Sequence, residues 1–195
     1  MIKRKIAEKL IQVAKQVPVV TIIGPRQSGK TTLVKECFSE YNYVNLEDPI
    51  NRILAKEDYR GFFASYKEPL IIDEVQRVPE LLSAIQVMVD EHREKNGRFI
   101  LTGSHQPSLQ KGIAQSLAGR TSILTLLPLS MHELAEEGHL DALSTDKLLI
   151  QGFMPELYRE GSREHIVYYR DYLNTYVEKD LREMLEIKSL DKFLR

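Results

Sequence analysis

Eight consecutive residues, Gly24–Thr31, have the spacing of a loop that binds phosphate groups. They read GPRQSGKT, in which four residues separate two glycines and the second glycine precedes a lysine and a threonine. Glycines let successive backbone N–H groups turn inward around an anion. Lys30 is then expected to contact the β- and γ-phosphates, and the Thr31 hydroxyl to bind Mg²⁺. The predicted nucleotide-binding residues are Gly24, Pro25, Arg26, Gln27, Ser28, Gly29, Lys30, Thr31 and Thr32.

The segments on either side of this loop are those that a phosphate site requires. The β-branched run VVTII at 19–23 predicts a buried strand, and TLVKECF at 32–38 has the pattern of a helix. A helix that begins at the loop adds free N–H donors and the positive end of its dipole. Because strand, loop and helix occur together, a phosphate-binding loop is a better interpretation than a chance match in a glycine-rich turn.

A second motif follows some forty residues after the loop. It is the segment PLIIDE, a short apolar run that ends in two acidic residues. A strand buried on both faces of a parallel sheet would place Asp73 at its exposed carboxyl end, beside the phosphate loop. Asp73 is therefore expected to hold Mg²⁺ together with Thr31. Glu74 is expected to polarise the water that attacks the γ-phosphate.

Another predicted buried strand, at 98–105, ends in small polar side chains. This position resembles the one that senses the third phosphate in P-loop ATPases with an extra strand between the loop strand and the acidic strand. Ser104 is the main candidate, with Thr102 and His105 as alternatives.

Three further charged residues have two interpretations each. Arg120 precedes the predicted strand 121–127, and either it acts on the γ-phosphate, in its own chain or a neighbouring subunit, or it forms a surface salt bridge. Glu47 and Asp48 follow the predicted strand 41–46, and they either orient water or substrate or belong to a plain turn.

The remaining chain alternates helices with these strands up to about residue 137. Helices are predicted at 2–16, at 50–65, from Pro79 onward, at 107–119, and after Ser130, which caps the last of them. The α/β alternation then stops, and helices are predicted at 145–151 and 163–190. We therefore expect an α/β domain at 1–137 and a helical region at 138–195.

Composition limits the classes of partner. The chain has 195 residues, a formal net charge of −1 and one cysteine, Cys37. This charge does not indicate a nucleic-acid partner, although Lys3, Arg4 and Lys5 either contact phosphates or form a solvated helix end. A tyrosine stripe on the helix 163–190 indicates a core or an interface rather than base stacking. No apolar run approaches the ~18 residues of a membrane span, so no membrane partner is expected. A single cysteine cannot form an internal disulfide, which agrees with the expected cytoplasmic location, although a secreted protein without disulfides would look the same.

These motifs resemble one family along nearly the whole chain. The segments are GPRQSGKTTL at 24–33, NLEDP at 45–49, PLIIDEVQRVPELLSAIQ at 69–86, RFILTGSHQ at 98–106, SLAGR at 116–120, LLPLSMHEL at 126–134, GFMPELY at 152–158 and YLNTYVEKDLREM at 172–184. They are similar to the prokaryotic AAA-type P-loop ATPases of the AAA_14 group, which a DUF4143 domain usually follows.

The resemblance implies a P-loop NTPase fold: a mostly parallel five-stranded sheet in the order 5-1-4-3-2, flanked by helices and followed by a small helical region. It matches Lys30 and Thr31 to the Walker A pair, Asp73 and Glu74 to the Walker B pair, and Ser104 to the sensor strand. It also matches Arg120 to the arginine of an L-A-G-R motif whose role it does not define. Members usually run to about twice this length, so a DUF4143-type domain would be absent from this chain.

The expected activity is Mg²⁺-dependent binding and hydrolysis of ATP to ADP and phosphate. Lys30 and Arg120 would stabilise charge on the transferring group, and Glu74 would position the attacking water. Three alternatives are a slow nucleotide-dependent switch that controls a protein partner, a nucleic-acid-associated motor, and a transferase that phosphorylates a small molecule. A homo-oligomer or a protein partner is compatible with each of these.

Overall fold

The computed structural model describes residues 2–104, 107–140 and 144–177. His105, and the part of the predicted helix 163–190 that follows residue 177, lie outside these residues. The described chain forms two compact units, one of Lys3–Leu127 and one of Met1–Ile2 with Pro128–Arg195. The boundary between the units follows Leu127, whereas the sequence predicted a boundary after residue 137. The boundary is earlier because Leu134 packs with Leu129 and Leu148 in the second unit.

The larger unit contains a five-stranded sheet and six helices among its described residues. The strands are β1 (Val19–Gly24), β2 (Asn42–Asn45), β3 (Leu70–Asp73), β4 (Phe99–Ser104) and β5 (Thr121–Thr125). The helices are α1 (Ile6–Ala14), α2 (Lys30–Cys37), α3 (Pro49–Glu57), α4 (Tyr59–Ser65), α5 (Leu81–Glu91) and α6 (Pro107–Ser116). A short 3₁₀ turn, Val75–Arg77, follows β3.

The sheet order is β2-β3-β4-β1-β5, and every pair is parallel. This confirms the predicted fold class and strand order. Because all five strands run in one direction, their carboxyl ends share a single edge of the sheet. β1 lies between β4 and β5, so the segment after β1 begins near the middle of that edge.

Both faces of the three central strands, β3, β4 and β1, are buried, as is typical of parallel sheets. One face carries Val19, Ile23, Ile72 and Leu101 against α3 to α6 and neighbouring loops. The opposite face packs alternate strand residues against α1 and α2, and its buried members include Leu10, Val20, Leu33, Ile71 and Ile100. This two-sided packing holds the strand ends in fixed positions relative to one another.

The predicted helix at 50–65 is two helices. Asp58 ends α3 and begins α4, with φ −139° and ψ 76°, outside the helical region. Its carboxylate accepts a hydrogen bond from the Gly61 backbone N–H at 2.9 Å. This side-chain cap stabilises a new helix start and competes with continuation of the helix before it.

The smaller unit is helical in its described part. It contains α7 (Met131–Glu136), α8 (Thr145–Gln151) and α9 (His165–Tyr172), a 3₁₀ segment Pro155–Tyr158, and a π-helical turn Leu173–Val177. Ser130 caps α7, as predicted, through a reciprocal pair of hydrogen bonds with Glu133. No helix in the described ranges is long and apolar enough to span a membrane.

Candidate functional site

The loop from Gly24 to Gly29 joins β1 to α2 at the carboxyl edge of the sheet. Gly29 has φ 92°, in the left-handed region that glycine adopts without strain. A Cβ atom at Gly24 would collide with the backbone carbonyl oxygen of Leu126. Both glycines are therefore required by local geometry, one for the turn into α2 and one for close packing against the segment after β5.

The Lys30 side chain folds back over this loop. Its Nζ donates hydrogen bonds to the carbonyl oxygens of Gly24 at 3.1 Å and Pro25 at 2.8 Å. The residue is only 5% exposed. A buried ammonium group held at the first turn of α2, where helix N–H groups also point, creates a positively charged cradle for an anion.

Elsewhere in the loop, Ser28 has a hydroxyl group that is unsatisfied within the described chain and a carbonyl oxygen that Arg4 contacts. The Ser28 hydroxyl is buried and has no hydrogen-bond partner among the described residues. From the segment before α1, Arg4 donates to the Ser28 carbonyl oxygen at 2.8 Å and to the Leu127 carbonyl oxygen at 2.7 Å. In the loop, Pro25 and Arg26 are half-buried, whereas Gln27 is exposed with φ 59°; Thr32 is exposed on α2.

Asp73, at the end of β3, is the centre of a cluster of hydroxyl groups. Its Oδ2 accepts hydrogen bonds from Thr31 Oγ1 and from the Tyr43 hydroxyl, each at 2.8 Å. Its Oδ1 accepts a hydrogen bond from Thr102 Oγ1, which in turn accepts the backbone N–H of Glu74 at 3.2 Å. Asp73 is 2% exposed, so its carboxylate is buried with its orientation fixed on both oxygens.

The backbone turns sharply at Glu74, directly after β3. Glu74 has φ 60° and ψ 45°, the left-handed conformation, at the start of the 3₁₀ turn. Its carboxylate accepts a hydrogen bond from Gln76 Nε2, which also lies 3.0 Å from Ser104 Oγ. Ser104 is aligned with Gly24 across the β1–β4 pair. Glu74, Gln76 and Ser104 therefore form a second polar chain beside the loop.

The oxygen atoms clustered around Asp73 include suitable ligands for Mg²⁺. Thr31 Oγ1 and Asp73 Oδ2 are hard ligands, already 2.8 Å apart. Within the described ranges, no group of three or more His, Cys, Asp or Glu side chains could hold a metal ion. Mg²⁺ usually keeps several waters and takes one or two protein ligands plus substrate phosphates, so a sparse set is the expected one.

The structure brings together most of the residues selected from sequence. Lys30, Thr31, Asp73, Glu74 and Ser104 lie at one edge of the sheet, at the ends of β1, β3 and β4 or the start of α2. Thr102 is at the same edge, but its hydroxyl contacts Asp73 rather than an open space.

Arg120 is the exception, and its expected action on a phosphate in its own chain is wrong for this arrangement. It precedes β5, whose first residue, Thr121, is aligned with Val19 at the start of β1. It therefore lies at the amino edge of the sheet, about 17 Å along β1 from Gly24. There its guanidinium group forms two hydrogen bonds with Asp90 of α5, at 2.8 and 2.7 Å. The pair with Asp90 agrees with the interpretation of Arg120 as a salt-bridge residue.

The acidic pair after β2 has structural roles. Asp48 caps α3 by accepting the Ile50 N–H at 2.8 Å. Glu47 pairs with Arg77 at 2.6 Å. Arg77 is the last residue of the 3₁₀ turn that carries Gln76, so this ion pair links the segment after β2 to the segment after Asp73.

Sequence reasoning did not select Tyr43, Gln76 or Arg4 as site residues. Tyr43 carried a usable signal, since it lies in a strand parallel to β3 and its partner in register, Ile71, faces the same side as Asp73. Gln76 lies two residues after Glu74, inside a turn whose shape no motif specifies.

Comparison with known proteins gives two family matches. A model described as an AAA domain, AAA_14, matches residues 16–135, and a domain of unknown function, DUF8612, matches residues 143–195. The second match covers the region where the resemblance placed the approach to a DUF4143 domain, and the DUF4143 association stays a prediction.

Two curated relatives are uncharacterized proteins of Mycobacterium bovis and Mycobacterium tuberculosis. Each is 31% identical over an alignment that covers 93% of this chain and 40% of the relative. The chain thus spans less than half the length of these relatives.

Two solved structures share the fold. The Walker-type ATPase PABY2304 of Pyrococcus abyssi has a TM-score of 0.55 at 17% identity, covering 95% of this chain and 72% of that one. AMPPCP-bound DnaA from Aquifex aeolicus has a TM-score of 0.52 at 14% identity, covering 93% and 63%.

Proposed function

The chain belongs to the AAA domain family, and from this premise we propose that it is a Mg²⁺-dependent ATPase that converts ATP to ADP and phosphate. The observation that carries the proposal is the 2.8 Å hydrogen bond between Thr31 and Asp73. It joins the phosphate loop to the acidic end of β3, which is the pairing that Mg²⁺-nucleotide chemistry requires.

Nucleotide binding rests on the loop. Gly24–Gly29 and the start of α2 supply N–H groups and dipole charge, and Lys30 supplies a full positive charge already at the loop. The DnaA structure that shares this fold is AMPPCP-bound, which supports a nucleotide ligand here. Thr31 and Asp73 would hold Mg²⁺, which would supply positive charge to offset the charge of the phosphate groups.

Hydrolysis rests on Glu74. Its carboxylate lies next to Ser104 through Gln76, at the strand end aligned with Gly24. A carboxylate at this edge can accept a proton from water as that water attacks the γ-phosphate. The Ser104 hydroxyl is suited to contact the same phosphate. In this proposal Arg120 has no part in its own chain's site, and its action on a neighbouring subunit stays a prediction.

The hydrogen bond from Gln76 to Glu74 favours a second candidate, a slow nucleotide-dependent switch that controls a partner. An N–H donor occupies a carboxylate oxygen that must otherwise accept a proton from the attacking water. Tight ATP binding with turnover close to zero would identify the switch. A homo-oligomer, a protein partner and a cytoplasmic location also remain predictions.

Phosphate release and ATP affinity, measured for wild type and two variants, test the proposal. Lys30→Ala should lose at least about tenfold in ATP affinity, because it removes a charge-assisted contact. Glu74→Gln should bind ATP normally and lose about 10²-fold or more in turnover, as expected for removal of a general base. Lys9→Ala, at an exposed position of α1, controls for the loss of a positive charge. Equal turnover in wild type and both site variants would overturn the assignment.

A further inference from the structure

Tyr43 contacts the candidate metal site from a strand that carries none of its motifs. It lies in β2, at the edge of the sheet, and its hydroxyl donates to Asp73 Oδ2 at 2.8 Å. That oxygen also accepts the Thr31 hydroxyl. The tyrosine therefore holds the same carboxylate atom that links the phosphate loop to β3.

The Tyr43 ring is held in place from the other side by Lys35. The Lys35 ammonium group lies 3.6 Å from the ring centroid, a cation–π contact. Lys35 follows Thr31 by four residues in α2, so the two side chains share one face of that helix. Tyr43 thus contacts both elements that supply the candidate magnesium ligands, α2 through its ring and β3 through its hydroxyl.

We infer that Tyr43 is a positioning residue that holds the Asp73 carboxylate in the orientation needed to bind Mg²⁺, and so sets the magnesium affinity of the nucleotide complex. The inference rests on the proposed function. Groups that hydrogen-bond to a metal ligand orient that ligand, and their removal typically costs about 10- to 100-fold in metal affinity. Thr102 holds the other Asp73 oxygen, but it is buried within the sheet, whereas Tyr43 reaches Asp73 from the edge strand.

Tyr43→Phe provides the test, because it removes the hydroxyl and keeps the ring that packs under Lys35. We would measure binding of a fluorescent ATP analogue across a Mg²⁺ titration and, separately, in EDTA. The Mg²⁺ concentration at the midpoint should rise about tenfold or more, while affinity in EDTA stays within about twofold of wild type. Thermal melting of the variant checks that the fold is retained.

Tyr41→Phe is the matched control. Tyr41 is a half-buried tyrosine two residues earlier whose ring packs on Phe38, 4.8 Å between centroids. Loss of its hydroxyl should leave the Mg²⁺ midpoint at the wild-type value. A similar rise in both variants would show a general effect of hydroxyl loss and would overturn the inference.

Two further results would overturn it. One is a Tyr43→Phe midpoint equal to that of wild type, and the other is an equal loss of affinity with and without Mg²⁺, which is the signature of a structural role. Asp73→Asn separates this failure from failure of the proposed function. If Asp73→Asn abolishes the Mg²⁺ response while Tyr43→Phe matches wild type, only the inferred role of Tyr43 is contradicted. If wild type binds no ATP analogue, both this inference and the proposed function are contradicted.

Discussion

The side-chain amide of Gln76 donates hydrogen bonds to the carboxylate of Glu74 and to the hydroxyl of Ser104. The opposite end of this amide, Oε1, is buried with no hydrogen-bond partner in the described chain. It lies against Gly103, where a Cβ atom would come within 2.7 Å of it. Gln76 therefore leaves its Oε1 atom buried without a partner among the residues that the structure describes, while its Nε2 atom holds Glu74 and Ser104 beside the proposed reaction.

We expect Gln76→Ala to lower kcat about tenfold while ATP affinity changes by less than about twofold. The reason is that Glu74 would lose the contact that fixes its carboxylate, and small misplacements of reacting groups reduce rates strongly. Steady-state phosphate release and equilibrium ATP binding separate the two quantities. Gln86→Ala, on α5, serves as a control for loss of an amide. An increase in turnover would instead mean that Gln76 restrains Glu74.

Gly24→Ala should disrupt the loop, because the new methyl group would collide with the Leu126 carbonyl oxygen. Backbone atoms cannot move aside as a flexible side chain can, so we expect a loss of about 3 kcal/mol in the free energy of unfolding, together with weaker ATP binding. Urea denaturation measures the first effect.

Gly119→Ala is the control for Gly24→Ala. Gly119 has φ 72° and no heavy atom within 4 Å of an added Cβ, so it reports backbone conformation alone. A cost of about 1 kcal/mol is expected there. Equal costs at the two positions would contradict the proposed collision.

Arg4→Ala should weaken ATP binding about fivefold. Arg4 fixes the Ser28 and Leu127 carbonyl groups, of which only Ser28 belongs to the phosphate loop. A net loss near 1 kcal/mol for this one hydrogen bond gives a change of this size. Lys3→Ala is a suitable comparison, since Lys3 is exposed and lies 3.8 Å from Glu8 in α1. If the two variants lose affinity equally, Arg4 acts only through its charge.

Arg120→Ala should leave ATP affinity and turnover at low protein concentration unchanged, because Arg120 lies at the sheet edge opposite the loop. It should lower the melting temperature slightly at pH 7, through loss of the pair with Asp90. Asp90→Ala should give the same decrease, and the double variant should add little to it. If Arg120 acts on a neighbouring subunit, turnover per wild-type chain would instead fall on dilution.

The same pair has a predictable pH dependence. The hydrogen bond from Arg120 lowers the pKa of Asp90 from its ordinary value of 3.8. A carboxylate with a lowered folded-state pKa stabilises the fold above its unfolded-state pKa and loses that contribution as pH falls through the folded value. The melting difference between wild type and Arg120→Ala should therefore persist at pH 5 and disappear at pH values well below 3.8. A difference independent of pH would contradict this.

The predicted site residues that the structure brings together carry local signals. Gly24, Gly29 and Lys30 are recognised by spacing, and Asp73 by the apolar run before it, because such strand ends and glycine turns are set by neighbours in the chain. The family resemblance drawn from these motifs is confirmed by the AAA domain match, and the strand order it implied is confirmed by the sheet.

The residues missed or misplaced depend on distant parts of the chain. Arg4 reaches Leu127 across 123 positions, and Tyr43 reaches Asp73 across 30. Arg120 was misplaced although topology was informative, since a residue that precedes a strand in an all-parallel sheet lies at the amino edge. Gln76 depends on the left-handed backbone of Glu74, a conformation that non-glycine residues seldom adopt.

The position of β1 within the sheet also determines when during synthesis the phosphate loop can be completed. Its two neighbours, β4 and β5, are made long after it, and the Ile23 carbonyl accepts its hydrogen bond from Leu126. Pairing with such distant segments is slow because the intervening chain must first be closed into a loop. A nascent chain that has not yet emerged from the ribosome through about residue 127 should therefore bind no nucleotide, so ATP binding would report completion of the sheet.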